Sequence, residues 1–171
     1  METGQVTELA PTESRARGAT IDELYVHGPM LLAAARMITL DNDEAEDLVQ
    51  TTFEIAIRHI GSLREPRALR AWLLRIQTRE AFRVVRRVRR LVRLDGHVRE
   101  LESPGADLAQ REDMRRALLT LPRRTRAAIA LHYLAGLSIE ETANVMRVSE
   151  NTTRSQCKTG LARLREELRD G

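Results

Sequence analysis

The chain has 171 residues, of which 42% are hydrophobic, 31% charged and only 3% aromatic, enough for one ordinary domain or two small ones. It lacks the run of about 18 apolar residues that a membrane-spanning helix needs, and its single cysteine, Cys157, excludes an internal disulfide and a cysteine-based zinc site. The net charge of +3 hides a segregation: residues 1–57 hold eleven acids against three bases, whereas residues 58–99 hold thirteen arginines against Glu65, Glu80 and Asp95.

Leu, Ala, Ile and Val recur at helical spacing and β-branched runs are scarce, which predicts an all-helical fold. Residues 1–19 are polar and aperiodic and read as a disordered tail with no apolar signal core, so a soluble intracellular protein is expected. A first helix is expected from about Ile21 to Thr39, with Gly28-Pro29 absorbed as a kink or a break. After the turn "LDND", a second helix starts near Asp43, with Glu46 three residues on and acids complementing the helix dipole. Gly61 is its expected C′ residue. The loop "GSLREP" follows, and Pro66 suits the first turn of the third helix.

That third helix carries "WLLRIQTREAFRVVRRVRRLVR". At about 100° per residue, Arg75, Arg79, Arg83, Arg86, Arg90 and Arg93 fall within about 80° of one another. Leu73, Leu74, Ala81, Val84, Val85, Val88, Leu91 and Val92 fill the opposite side, and Trp72, the only tryptophan, lands on the arginine stripe. One reading is a solvated basic face with Trp72 tucked under a neighbouring loop. The other is an anion-binding face, which gains weight because unpaired like charges repel without an anionic partner; the residues alone leave both open.

Residues 94–106 contain Gly96, Pro104 and Gly105 and mark a boundary between two domains. A helix is expected over Asp107–Thr120, and another from about Arg123 to Ala135, closed by Gly136. Ser138 and Glu141 then form a capping box, with Ile139, Ala143 and Met146 on one face. After the turn "RVS", Ser149 caps a last helix on which Thr153, Cys157, Gly160 and Leu164 face inward. Asn151, Thr152, Arg154, Ser155 and Lys158 are left for the outward face. Two helices joined by a tight turn, the second presenting polar and basic groups early, form a helix-turn-helix.

The blocks "DEAEDLVQTTF" (43–53) and "LPRRTRAAIALHYLAGLSIEETANVMRVSENTTRSQ" (121–156) resemble an alternative bacterial sigma factor of the extracytoplasmic-function group, from about Leu24 to Leu168. The resemblance implies an all-α fold of two helical domains, sigma-2 over 20–93 and sigma-4 over 107–171, joined by a flexible linker over 94–106. The length matches that group and leaves no room for a further C-terminal domain. The resemblance also implies core RNA polymerase and promoter DNA as partners. Asp47, Leu48, Gln50 and Phe53 match the motif that docks on the coiled coil of the polymerase β′ subunit, and the sigma-4 domain would meet the β flap. Ser62, Arg64, Trp72, Arg75, Arg79, Arg83 and Arg86 would face the minus-ten element, with a base held by the loop over 61–66. Asn151, Thr152, Arg154, Ser155 and Lys158 would face the minus-thirty-five element. An anti-sigma factor is a further expected partner, since many members are held off by one.

The chain also departs from the family's pattern. It has "QTR" and Arg83 where many members have "ARN" and a later Asp, and "MRVS" then "NTTRSQC" where many have "LGIS" then "GTVKSRL". Arg147 thus replaces a usual glycine, Thr153 a core aliphatic and Cys157 a buried leucine. Cys157 is read as core. Two other classes of function are weaker. A helix-turn-helix regulator that never enters polymerase would leave the acidic helix and the arginine helix unused. An enzyme lacks a nucleophile–base set, a phosphate-cradling glycine loop and, with His27, His59, His97 and His132 scattered, a metal cluster. No cofactor or metal is expected.

Overall fold

The computed structural model describes residues 21–91 and 108–169, with side chains for 21–83 and 112–169. The tail over 1–19, the boundary segment over 94–106 and the side chains of Arg86, Arg90 and Arg93 lie outside the described residues. Every regular element among the described residues is helical.

Gly28-Pro29 produces a break. Helix α1 covers Ile21–Val26 and α2 covers Gly28–Thr39, with Pro29 in a first turn that has no use for its missing N–H. Helix α3 spans Asn42–His59 and starts earlier than the sequence suggests. Its cap is Asp41, whose Oδ1 accepts the Glu44 N–H at 2.8 Å, so the Asp43–Glu46 pair plays no capping part. Gly61 is not a left-handed cap either; Gly136 is the glycine with positive φ among the described residues. Instead α3 tightens into a 3-10 turn over Ile60–Ser62. There the Ser62 hydroxyl donates to the His59 carbonyl at 2.7 Å and the Leu63 N–H to the Ile60 carbonyl at 3.0 Å. Those bonds carry the chain on into a tightened turn, so no left-handed cap is needed at Gly61. Pro66 opens a second 3-10 turn, Pro66–Ala68, which leads into α4, Leu69–Leu91.

Helices α2, α3 and α4 pack together around Leu24, Leu31, Ile38, Leu73 and Leu74, all essentially inaccessible to solvent. Gln77 is fully buried among them, and its Nε2 donates to the Leu31 carbonyl at 2.7 Å. That bond ties α4 to α2, while the equally buried Gln77 Oε1 has no hydrogen-bond partner among the described residues.

The second half comprises α5, Leu108–Leu119, α6, Arg123–Ile129, α7, Ile139–Met146, and α8, Glu150–Glu167. A π turn over Ala130–Leu134 prolongs α6 and ends at Gly136, whose φ is 65°. Both bonds of the capping box are present, with Ser138 Oγ accepting the Glu141 N–H at 3.0 Å and Glu141 Oε2 accepting the Ser138 N–H at 2.8 Å. Ser149 Oγ accepts the Thr152 N–H at 3.1 Å and starts α8. Thr153, Cys157, Gly160 and Leu164 are all buried, as their spacing predicts. Gly160 permits the close crossing of α8 over α6: a Cβ there would lie 2.6 Å from Thr125 Cγ2 and 2.7 Å from Ile129 Cδ1.

The two halves share a core. α2 packs on α6 and the π turn, and α4 packs on α7. Ala34, Ala35 and Ile38 meet the band of Ala127, Ala128, Ala130 and Leu131, all buried in one hydrophobic cluster. Small alanines let the helices approach closely. Arg126, only 8% exposed, seals this junction. Its Nη2 donates to the Ile38 carbonyl at 3.0 Å, and its Nη1 donates to the Leu121 and Leu118 carbonyls at 2.8 and 3.3 Å. Burial, with neighbouring Arg123 adding to it and Glu44 opposing it, lowers the Arg126 pKa to about 10. Arg123 forms an ion pair with Glu44 across the same junction.

Candidate polymerase and nucleic-acid interfaces

The first surface is built on α3. Asp47 and Gln50 are exposed, and Phe53 is half-buried with its ring 5.1 Å from that of Tyr25. Gln50 Nε2 donates to Glu54 Oε1 at 3.2 Å. Between α1, α2 and α3 runs a groove of about 520 Å³ lined by Tyr25, Leu32, Val49, Gln50, Phe53 and Ile57. Gly28 forms part of its floor, 3.7 Å from the Phe53 ring when a Cβ is placed there. Leu48 departs from its predicted role: it is 5% exposed and belongs to the core. The residue after it, Val49, reaches the groove instead. Helical geometry decides this, because α3 buries Ala45, Leu48, Thr52 and Ala56 as one stripe. Tyr25, Leu32, Val49 and Ile57 went unrecognised as groove residues; the apolar residues at i−4 and i+4 from Phe53 (Val49 and Ile57) carried a signal.

A second surface follows α4. Arg75, Arg79 and Arg83 are exposed, and Trp72 is half-buried between them and the core. Arg83 is the exception within the stripe, because its Nε lies 3.2 Å from Glu80 Oε2. No carboxylate among the described residues pairs with Arg75 or Arg79. Ser62 and Arg64 are exposed in the loop before the helix. Arg86 lies on α4, with its side chain outside the described residues.

The third surface is the outward face of α8. Asn151, Thr152, Arg154, Ser155 and Lys158 are all exposed. Arg154 is held within its own helix, with Nη2 on Glu150 Oε2 at 2.7 Å and Nη1 on Asn151 Oδ1 at 3.4 Å. The Thr152 hydroxyl lies 2.8 Å from that of Ser149. Beneath this face Thr153 fills a core position, and its hydroxyl donates to the Ser149 carbonyl at 3.2 Å. Burial pushes the Cys157 thiol pKa up, which disfavours the reactive thiolate and suits a packing role. Arg147 occupies the left-handed cap after α7 at φ 55°, with its N–H on the Ala143 carbonyl.

A capped helix-turn-helix in one domain and an arginine-rich helix in the other are features of the class of DNA-binding proteins. Residues 24–91 match the family described as Sigma-70 region 2, and residues 111–164 match Sigma-70, region 4. The chain belongs to the extracytoplasmic-function group of the sigma-70 family, the alternative sigma factors that direct transcription initiation. It is 34% identical over 151 residues to the ECF RNA polymerase sigma factor SigM of Mycobacterium tuberculosis, covering 84% of this chain and 74% of that one. Against the sigma factor SigV of Bacillus subtilis it is 26% identical over 129 residues, 75% of this chain and 78% of the relative. Among solved structures, it resembles the sigma factor RpoE in complex with the anti-sigma factor NepR from Bartonella quintana. That likeness has a TM-score of 0.77 and 32% identity over 86% of this chain and 95% of RpoE. CnrH in complex with the cytosolic domain of CnrY gives a TM-score of 0.62 at 25% identity, over 87% of this chain and 86% of that one.

Proposed function

We propose that three surfaces divide the work of initiation in the cytoplasm, without enzymatic activity of the chain's own. The α3 groove, with Asp47, Gln50 and Phe53 at its edge, takes the β′ coiled coil of core polymerase, and the domain over 107–171 meets the β flap. The loop carrying Ser62 and Arg64, together with Trp72, Arg75, Arg79, Arg83 and Arg86 on α4, takes the minus-ten element. Its ring wedges against an unstacked base while the arginines hold phosphates. Asn151, Thr152, Arg154, Ser155 and Lys158 on α8 read the minus-thirty-five element in the major groove. The segment over 94–106 joins the two DNA-binding units.

The observation that carries this reading is the pairing of half-buried Trp72 with Arg75 and Arg79, which no described carboxylate neutralises, on the domain other than the helix-turn-helix. The two promoter elements lie roughly 25 base pairs apart, or roughly 85 Å at about 3.4 Å per step. α4 and α7 touch in the structure, so the protein must open before it spans both elements. The closed form is accordingly read as an inactive state, the form that an anti-sigma factor would favour. The likeness to sigma factors held by anti-sigma proteins supports that reading.

Run-off transcription with core polymerase and start-site mapping tests the proposal. Start sites that appear only with both components, each preceded by two spaced elements, are the expected result. A palindromic footprint without polymerase, and no initiation with it, would instead assign the chain to the operator-binding regulators.

A further inference from the structure

Closing the two domains creates a cleft of about 390 Å³ between α4 and the start of the helix-turn-helix. Arg75 and Arg79 enter it from one domain and Arg124 and Arg147 from the other, while Trp72 and Phe82 supply aromatic walls. No carboxylate lines the cleft, and none among the described residues pairs with any of the four arginines. The Arg124 guanidinium stacks 5.1 Å from the centre of the Phe82 ring. Four guanidinium groups drawn together from two domains repel one another unless an anion sits between them.

Thr78 gives a second and independent pointer. It lines the same cleft, is only 2% exposed, and its hydroxyl oxygen has no hydrogen-bond partner. A buried hydroxyl left unpaired costs free energy that a ligand acceptor would recover.

We propose that this cleft binds a nucleoside polyphosphate, with the phosphates among Arg75, Arg79, Arg124 and Arg147, the base against Trp72 or Phe82, and Thr78 donating to the ligand. The volume falls within the usual range for small-molecule sites, about 300–1,000 Å³. Because both domains contribute cations, the ligand binds the closed form and not the open one, and it holds the minus-ten surface out of reach of DNA. The site shares Trp72, Arg75 and Arg79 with the promoter surface, yet it needs neither DNA nor polymerase to be measured.

The test is a titration of the full chain with ATP, GTP and inorganic tripolyphosphate at low salt, followed by calorimetry and by fluorescence of Trp72, the only tryptophan. Saturable binding of ATP or GTP with a change in Trp72 emission is expected, with tripolyphosphate at least about tenfold weaker for want of a ring to stack. Arg147→Gly removes one cation and relaxes the backbone, so it should melt no lower than the parent while binding about tenfold or more weakly. Arg124→Gln should weaken binding to a similar degree. Absence of saturable heat at millimolar nucleotide overturns the proposal, as does parental affinity in both variants. Equal affinity for tripolyphosphate and ATP overturns the nucleotide assignment. A null titration leaves the promoter reading standing, and a failed run-off assay leaves this one standing, so the two are separately refutable.

Discussion

Arg75 and Arg79 of α4 and Arg154 of α8 are all exposed to solvent, but their charges are met differently. On α4, Arg75 and Arg79 have no carboxylate partner among the described residues and a half-buried ring lies beside them. On α8, Arg154 is held by Glu150 one turn earlier. Unpaired cations give affinity and salt dependence, whatever the sequence beneath them. A cation steered by a neighbouring acid is positioned and partly discharged, which suits discrimination better than attraction. The same contrast extends to how each helix is held. α4 is fixed by a buried polar bond from Gln77 to the Leu31 carbonyl; α8 is fixed by the shape of Gly160 against Thr125 and Ile129.

The largest effect should come from Arg75→Ala combined with Arg79→Ala. Losing two charge-assisted phosphate contacts should cost about 3 kcal/mol or more of promoter affinity and reduce the salt slope by roughly 1.8. Binding measured by anisotropy across a salt series checks both; an unchanged slope would place these arginines outside the DNA contact. Next is Trp72→Ala, which should slow opening of the minus-ten region by about 1–3 kcal/mol while sparing the closed complex. Permanganate reactivity of minus-ten thymines reports the opening, and a pre-melted, mismatched promoter should rescue this variant more fully than the arginine pair. A melting curve separates that role from packing. If the variant is destabilised yet opens DNA normally once bound, Trp72 belongs to the core alone.

Gly160→Ala tests the platform of α8 rather than its face. The new methyl group would meet Thr125 and Ile129 at under 3 Å, and overpacking of this kind costs about 1–3 kcal/mol. Thermal unfolding should show a lowered midpoint, with minus-thirty-five preference intact in whatever fraction stays folded; an unchanged midpoint would mean that α6 gives way freely. The smallest change is Glu150→Gln, which breaks an exposed ion pair contributing under about 1 kcal/mol to stability. It should leave the melting temperature nearly unchanged, strengthen binding to unrelated DNA and steepen its salt dependence, making α8 behave more like α4. Should non-specific affinity stay put, the contrast between the two helices does not arise from Glu150.

Much of the candidate site was legible because it depends on local periodicity. The arginine stripe, the capping box and the inward row Thr153, Cys157, Gly160 and Leu164 each follow from about 100° of rotation per residue, which a sequence states directly. The same holds for the break at Gly28-Pro29, where a fixed φ and a missing N–H act within one turn. Helix ends were less legible. Asp41 and Asp43 are both plausible caps, and the choice fell to the one whose carboxylate reaches the Glu44 N–H. Gly61 offered a left-handed cap that a neighbouring hydroxyl and a 3-10 turn made unnecessary.

What the sequence by itself determined, then, is the helical content, the helix-turn-helix and the separation of acidic from basic surface, because propensity, capping and charge order are properties of neighbours in the chain. Tertiary structure alone decided that Leu48 is interior while Val49 faces a groove, and that the buried Gln77 Nε2 finds its acceptor 46 positions away. It also decided that Arg126 spans the domains to reach Ile38, 88 positions from it. The band Ala127, Ala128, Ala130 and Leu131 reads in the sequence as an apolar helix with no preferred side. Only the approach of α2 reveals which side is covered, since burial and hydrogen-bond satisfaction depend on partners brought together by the fold and not on spacing along the chain.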